Sequence, residues 1–293
     1  MTETPLRRVR RGLARLALAI AAALPLWGYT SIEALFAPKA ELWARWQSHD
    51  AANQETIDHG IWADLLGRYV AVDPDGVNRF DYAEVGVAER AALEAYIEGL
   101  TALPISAYGR AEQLAYWINL YNALTVRVVL DRYPVDSIRD IDISPGLFAD
   151  GPWGRKLVRI EGEDLSLNDI EHRILRPIWR DPRIHYAVNC AAIGCPNLPA
   201  TAFTGETVDA RLEQAARDYV NHPRGSRVAG GKLLVSSIYV WFQEDFGGDD
   251  RGVIAHLKRY AEPDLAAQLM GLGAIDGHDY DWRLNDIGAG RYR

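Results

Sequence analysis

Between Ala111 and Tyr133 the chain reads AEQLAYWINLYNALTVRVVLDRY, a helical period that is apolar nearly all the way round. Such a helix offers water no face, so it must run through the middle of a body whose other elements wrap it. Asn119 and Asn122 lie three apart, and so on one side of this helix with Tyr116 and Val126. A buried amide without a partner costs about 1–3 kcal/mol. Both asparagines are therefore expected to be bonded, either within a core polar network or along the wall of a binding site.

The N-terminus is of a different kind. Arg7, Arg8, Arg10, Arg11 and Arg15 against Glu3 give the first fifteen residues a charge of +4, which leaves -12 of the total -8 for the remainder. An apolar run from Leu16 to Tyr29 follows, and the stretch continues as TSIEALFA with only Glu33 charged. A basic segment ahead of an apolar one is the layout of a secretory signal or N-terminal anchor. The apolar run alone is shorter than the about 20 residues of a membrane span. Its best small-residue cleavage site, Leu35-Phe36-Ala37, is followed by Pro38. Residues 1–37 are thus read as a signal or anchor helix, with residues 13–37 in the inner membrane and the arginines on the cytoplasmic side. The body is then expected on the periplasmic face, anchored or released by cleavage. RRVRRG is also a loose match to a twin-arginine export signal. The acidic body argues against nucleic acid as a partner, because phosphate binding needs clustered Lys and Arg.

Residues 38–293 show no repeat, low-complexity linker or break in composition, and one domain is expected. Helical periodicity marks 32–49, 55–70 and 88–101. VDPDGVNRFDYAEV reads as a turn with two short strands. It fails as a calcium loop, since Val77 stands at the fifth position and Gly76 at the fourth instead of the sixth. KLVRI is a short strand, and in DLSLNDIEHRILRP Ser166 and Asp169 approximate a capping box. At 100° per residue Glu171 falls inside the apolar arc of that helix, with His172 just beyond its edge beside Arg176. A carboxylate facing a core needs a cation or amide, or has its pKa raised. RIHYAVN reads as a strand with His185, Ala187 and Asn189 on one face. Further on come an amphipathic helix in ETVDARLEQAARDYVNH, a hairpin about Gly230-Gly231, a strand or edge in SIYVWFQEDF, and helix over 250–270. The fold class is therefore α+β: a single mixed helix and strand domain around a buried central helix, behind the N-terminal segment.

Both cysteines fall within six residues, in CAAIGC at the end of the RIHYAVN segment. Four readings are open. Cys190 and Cys195 could be joined by a disulfide, which an exported location permits. Cys195 could be a nucleophile, with His172 or, alternatively, His185 as base and Glu171, Asn119 or Asn122 orienting it. The pair could ligate a metal with a histidine, for which the Cys-x4-Cys spacing is weak support, or be inert buried thiols. No metal or cofactor is expected, and no phosphate loop, HExxH pair or GxSxG elbow occurs.

AYWINLYNALTVRVVLDRYP, LSLNDIEHRILRP, IHYAVNCAAIGCPNLP, WFQEDFG and DYDWRLN, in this order, resemble the bacterial domain of unknown function 547 family over about residues 60–285. The resemblance implies an exported protein of mixed helices and strands. It implies recurrent polar positions at Asn119, Asn122, Glu171, His172, Asn189, Cys190, Cys195, Asp281 and Trp282. Asn197 and Arg283 stand where Pro and Ser are common in that family. Two functions are carried forward. One is a thiol-dependent hydrolase or acyltransferase on peptide-like amides, with Cys195, His172 and Glu171 catalytic and Asn119, Asn122, Asn189 and Arg176 binding. The other is a non-catalytic binding or scaffold domain, for a small-molecule or peptide-like ligand, braced by a Cys190–Cys195 disulfide.

Overall fold

The computed structural model describes residues 37–145 and 151–288, so the signal or anchor segment lies outside the described residues but for Ala37. Among the described residues no helix is long and apolar enough to cross a membrane.

Helix α1 (Gly60–Tyr69) leads into the short antiparallel pair β1 (Val70–Ala71) and β2 (Arg79–Phe80), as the turn pattern between them requires. Asp75 and Asp73 of that turn are taken by Arg79, at 2.6 and 3.1 Å. Helices α2 (Val87–Thr101) and α3 (Arg110–Leu130) follow. Helix α3 is the expected central helix. It is buried without interruption from Gln113 to Val126, and only Arg127 in its last turns reaches solvent. Its polar side chains are all answered: Gln113 Nε2 donates to the carbonyls of Ser48 and Ile105, and Thr125 Oγ1 to that of Tyr121.

Strands β3 (Val158–Ile160) and β4 (Glu163–Leu165) pair antiparallel and deliver the chain to the capping box, where Asp169 accepts from Ser166 N at 2.9 Å and Ser166 Oγ accepts from Asp169 N at 3.2 Å. The helix they cap is a π-helix over Asp169–Leu175, continuing as α4 (Arg176–Trp179). The wider π turn brings both Glu171 and His172 inside, where the 100° wheel puts His172 at the edge. It also leaves carbonyls free for other donors: Glu41 N and Trp43 N bond to His172 O and Arg173 O. That strap explains why the described part of 32–49 is extended apart from a single 3-10 turn, Ala44–Gln47. Its donors are spent on another element.

The expected strand at RIHYAVN is instead a 3-10 helix, Pro182–Tyr186. Asp181 accepts from Arg183 N at 2.9 Å and Pro182 occupies the first helical position, a start signal that overrides the alternation. After it come α5 (Val208–Asn221) and the hairpin β5 (Ser226–Ala229) and β6 (Lys232–Ser236). SIYVWFQEDF is also helical, α6 (Ile238–Trp241) and a 3-10 turn Gln243–Phe246 that ends at Gly247 with φ 109°. Its aromatic run reads as strand locally, but both sides are packed. Helices α7 (Asp250–Tyr260) and α8 (Pro263–Gln268) precede β7 (Gly277–Asp279), which pairs parallel to β6.

The main core surrounds α3, and a second cluster gathers Tyr186, Tyr219, Tyr239, Phe246 and Tyr260. After β7 the C-terminal segment crosses back between the two cysteines and β2: Leu284 bridges Ala192, and Asp286 bridges Phe80. This crossing assembles the site.

Candidate functional site

The turn carrying the cysteines is held from three directions. From α3, Asn122 donates to Ala187 O at 2.9 Å and accepts from Asn189 N at 2.8 Å. Asn189 in turn donates to Pro196 O at 2.7 Å and accepts from Ala191 N at 2.9 Å, spanning the turn from one end to the other. From the C-terminal segment, Asp281 O and Arg283 O accept from Gly194 N and Ile193 N, both at 2.8 Å. A Cβ on Gly194 would stand 2.7 Å from Asp281 N, so only glycine admits this approach. From α5, the Tyr219 hydroxyl donates to Gly194 O at 2.6 Å. Ala191 sits at φ 56°, a conformation costing an L-residue roughly 1–2 kcal/mol and common where a site is over-determined by its surroundings.

Cys190 and Cys195 are free thiols whose sulfurs stand 2.9 Å apart, and no disulfide joins them. Cys195 is 3 % exposed, and its Sγ accepts from both the backbone N–H and the S–H of Cys190, each at 2.9 Å. The Tyr280 hydroxyl lies 3.0 Å from Cys190 Sγ. Burial works against ionisation of Cys195. The hydrogen bonds from Cys190, the Tyr280 hydroxyl and the charge of Arg224 outweigh it and bring the thiol below its ordinary value. Cys190 goes the other way: burial, donation to Cys195 and the charge of Glu171 push it well above. Of the two thiols, the arrangement therefore makes Cys195 the easier to ionise and Cys190 the harder.

The histidines form a second group. Asp245 Oδ2 accepts from His185 Nε2 and from Arg176 Nε, both at 2.6 Å. Burial would raise Asp245, but these two donors hold it far below the usual carboxylate range. Arg176 also donates to His172 Nδ1 at 2.9 Å, which places the His172 proton on Nε2. Burial lowers His172 to about 4, with Glu171 raising it and Arg176 lowering it. Phe242 stacks on His185 at 4.5 Å with Arg176 4.6 Å above its ring. Glu171 lies between the groups, 3.7 Å from His185 Nδ1, 3.9 Å from His172 Nδ1, and against the Tyr121 hydroxyl.

The residues expected from the sequence thus fall into two sets. Cys190, Cys195, Asn122 and Asn189 are together; His172, His185, Glu171 and Arg176 are together. The bonds of Cys195 run to Cys190, Tyr280 and Val188, and neither histidine makes one. Asn119 belongs to neither set: it donates to Phe203 O at 2.7 Å and accepts from Phe203 N at 3.0 Å. The amides of Asn119, Asn122 and Asn189 are all engaged with backbone. Arg176, expected in ligand binding, is engaged with Asp245, His172 and Pro38 O.

Three residues escape the sequence reading. Asp245 and Tyr280 lie in WFQEDFG and DYDWRLN, where the only signal was the stretch as a whole; Arg224, in the turn after α5, gives none. Tyr280 also lines an open cleft of about 780 Å³ with Asp136, Ser137, Asp140, Asp279, Asp281, Trp282 and Arg283. Tyr280, Trp282 and Trp241 pack edge and face at 4.7–5.7 Å, so the Tyr280 ring is one wall between cleft and thiols. Among the described residues no group of three or more His, Cys, Asp and Glu side chains is placed to hold a metal ion.

Residues 105–220 match the family model described as "Protein of unknown function, DUF547". The chain carries a DUF547 domain. The matched DUF547 stretch contains α3, the π-helix and both cysteines, and it ends before Arg224, Asp245 and Tyr280. The site is therefore completed by chain outside the matched DUF547 residues. No curated protein and no solved structure matches the chain.

Proposed function

We propose that the site is a dithiol–disulfide centre in which Cys195 attacks and Cys190 resolves. The observation that carries this reading is the donor set on Cys195 Sγ, N–H and S–H of the same residue at 2.9 Å. A thiolate next to a protonated partner thiol is the arrangement thiol–disulfide exchange needs. The substrate is a disulfide approaching through the cleft at Tyr280. The Cys195 thiolate attacks one sulfur of the substrate, forming a mixed disulfide and expelling the other as a thiolate. Cys190 gives its proton to that leaving group and attacks Cys195, closing the protein disulfide and releasing the second substrate thiolate. Two electrons pass from the protein to the substrate. The export read from residues 1–37 supports this, since in an oxidising compartment a dithiol of this kind has partners to exchange with. The hydrolase reading shares the nucleophile, but no histidine is bonded to it; the scaffold reading needs the pair permanently closed.

The test is mass spectrometry of the purified chain in glutathione buffers of graded redox ratio, with alkylation of free thiols. Reversible conversion between two thiols and none is expected, with Cys195 the first to alkylate at neutral pH. With Cys190→Ser the mixed disulfide at Cys195 should accumulate. Two thiols that stay free in oxidised glutathione would overturn the proposal in favour of the hydrolase, and a bridge resisting reduction would favour the brace.

A further inference from the structure

We propose that Arg224 is the counter-cation of Cys195, a positioning residue whose guanidinium holds the sulfur as thiolate and makes it, not Cys190, the attacking one. This rests on the dithiol reading. Arg224 stands in the turn between α5 and β5 and reaches across the turn of the cysteines. One terminal nitrogen donates to Ile193 O at 3.0 Å and the other to Asn197 Oδ1 at 2.6 Å, two residues to either side of Cys195. Its guanidinium lies 5.5 Å from the ring of Tyr219, whose hydroxyl bonds the intervening Gly194 O. Asn197 is itself fixed, accepting from Asn78 N at 2.8 Å and donating to Gly76 O at 3.0 Å.

The charge of this guanidinium has no carboxylate. Arg79, Arg176, Arg183 and Arg283 each meet an aspartate within 2.5–2.6 Å, whereas among the described residues Arg224 forms no ion pair, and its Nε is buried with no hydrogen-bond partner. A half-buried cation whose Nε has no partner is better placed beside an anion than without one. The ionisable groups facing Arg224 are Tyr219, Cys195, Tyr280, His222 and Asp75; His222 offers no negative charge, and Asp75 is already bound by Arg79. The tyrosines are neutral at neutral pH, their ionisation pushed well up by burial. That leaves Cys195, whose thiol is brought below its ordinary value, as the group that can supply the anion. From its own side Cys195 accepts from Cys190 and Tyr280 and lies 3.9 Å from Val188 O; Tyr219, Tyr82 and Tyr121 stand nearby with their hydroxyls bonded to Gly194 O, Asn285 and Glu171, and Glu171 acts on Cys190. Arg224 is the cation in that set.

The consequence reaches the redox balance of the pair. Closing the disulfide removes the thiolate and strands Arg224, so the cation favours the reduced protein and makes the disulfide a stronger oxidant.

The experiment uses the full chain, with Arg224→Gln and Arg224→Lys beside the wild type. The rate of iodoacetamide alkylation at Cys195 is followed against pH by peptide mass, and the glutathione equilibrium is measured in parallel. Removing the charge is expected to raise the pH midpoint by about one unit, slow alkylation at neutral pH about tenfold and make the disulfide harder to reduce. Arg224→Lys should recover most of the wild-type midpoint although it cannot span Ile193 and Asn197. An unchanged midpoint in Arg224→Gln, or equal shifts in both variants, overturns the proposal and leaves Arg224 a clamp. Should Arg224→Gln fail to fold, Asn197→Ala, which frees one guanidinium nitrogen, must still raise the midpoint; no shift there is equally fatal. A wild-type Cys195 that titrates like an ordinary thiol would instead defeat the dithiol reading itself.

Discussion

Replacing Asn122 by Ala removes one amide and strands two groups that water cannot reach. Asn122 is 2 % exposed, and its side chain satisfies both Ala187 O and Asn189 N. Each buried backbone group left unpaired costs about 1–3 kcal/mol, so the loss is about 3 kcal/mol even with partial relaxation. For a domain of this size that corresponds to a fall in melting temperature of roughly 6–12 °C. Asn119→Ala strands Phe203 O and Phe203 N in the same way, and should cost about as much. The two variants separate at the thiols. Asn122 fixes Asn189, which ties Ala191 to Pro196 around the cysteines, whereas Phe203 lies beyond the turn. Thermal melts and Cys195 alkylation rates on both variants are the assay. Both should melt early, and only Asn122→Ala should change the alkylation rate markedly. A melting temperature for Asn122→Ala within about 1 °C of the wild type would refute the assignment of these amides to backbone support, and would return Asn122 to a ligand-facing role.

Other expectations follow from the same geometry. His172 and His59 are both buried and both lowered from an ordinary 6.5 to about 4, chiefly by burial. The unfolded chain therefore binds more protons between those values. The stability each contributes is complete above pH 6.5, is lost as pH falls towards 4, and amounts to about 3 kcal/mol; denaturant melts that stay level from pH 7 to 4.5 would contradict this. Asp245→Asn leaves Arg176, with 3 % side-chain exposure, as a cation without its carboxylate, and should destabilise by about 3–5 kcal/mol in a chemical melt. Gly194→Ala drives a methyl into Asp281 N and the Tyr280 ring; a loss of about 1–3 kcal/mol is expected, with altered Cys190 alkylation as Tyr280 shifts. Unchanged stability and reactivity would mean the C-terminal segment does not press on the thiol turn.

What the sequence determined by itself was whatever is written in nearest neighbours and period. The all-round apolar stretch at 111–133 could only be a central helix, and it is buried as α3. Ser166 and Asp169 specify a helix start within four residues, and Gly230-Gly231 a hairpin; both are observed. Glu171 at a core-facing position is likewise a local property, since a carboxylate among Leu167, Ile170 and Ile174 has nowhere else to go. The closeness of the two thiols was implied by their spacing. The tertiary structure decided the rest, because hydrogen bonds between distant segments carry no sequence period. The carbonyls of His172 and Arg173 that the π turn leaves free are taken by backbone donors at Glu41 and Trp43, more than a hundred residues earlier. The partner of His185 is Asp245, sixty residues on, so the histidines are bound to a carboxylate instead of to sulfur. Tyr280 reaches Cys190 because β7 runs parallel to β6 and sends the C-terminal segment back across the turn, and Arg224, just after α5, bonds that turn at Ile193 O. Which sulfur is the easier to ionise depends on those long-range groups, since in a buried site the pKa belongs to the surroundings more than to the residue.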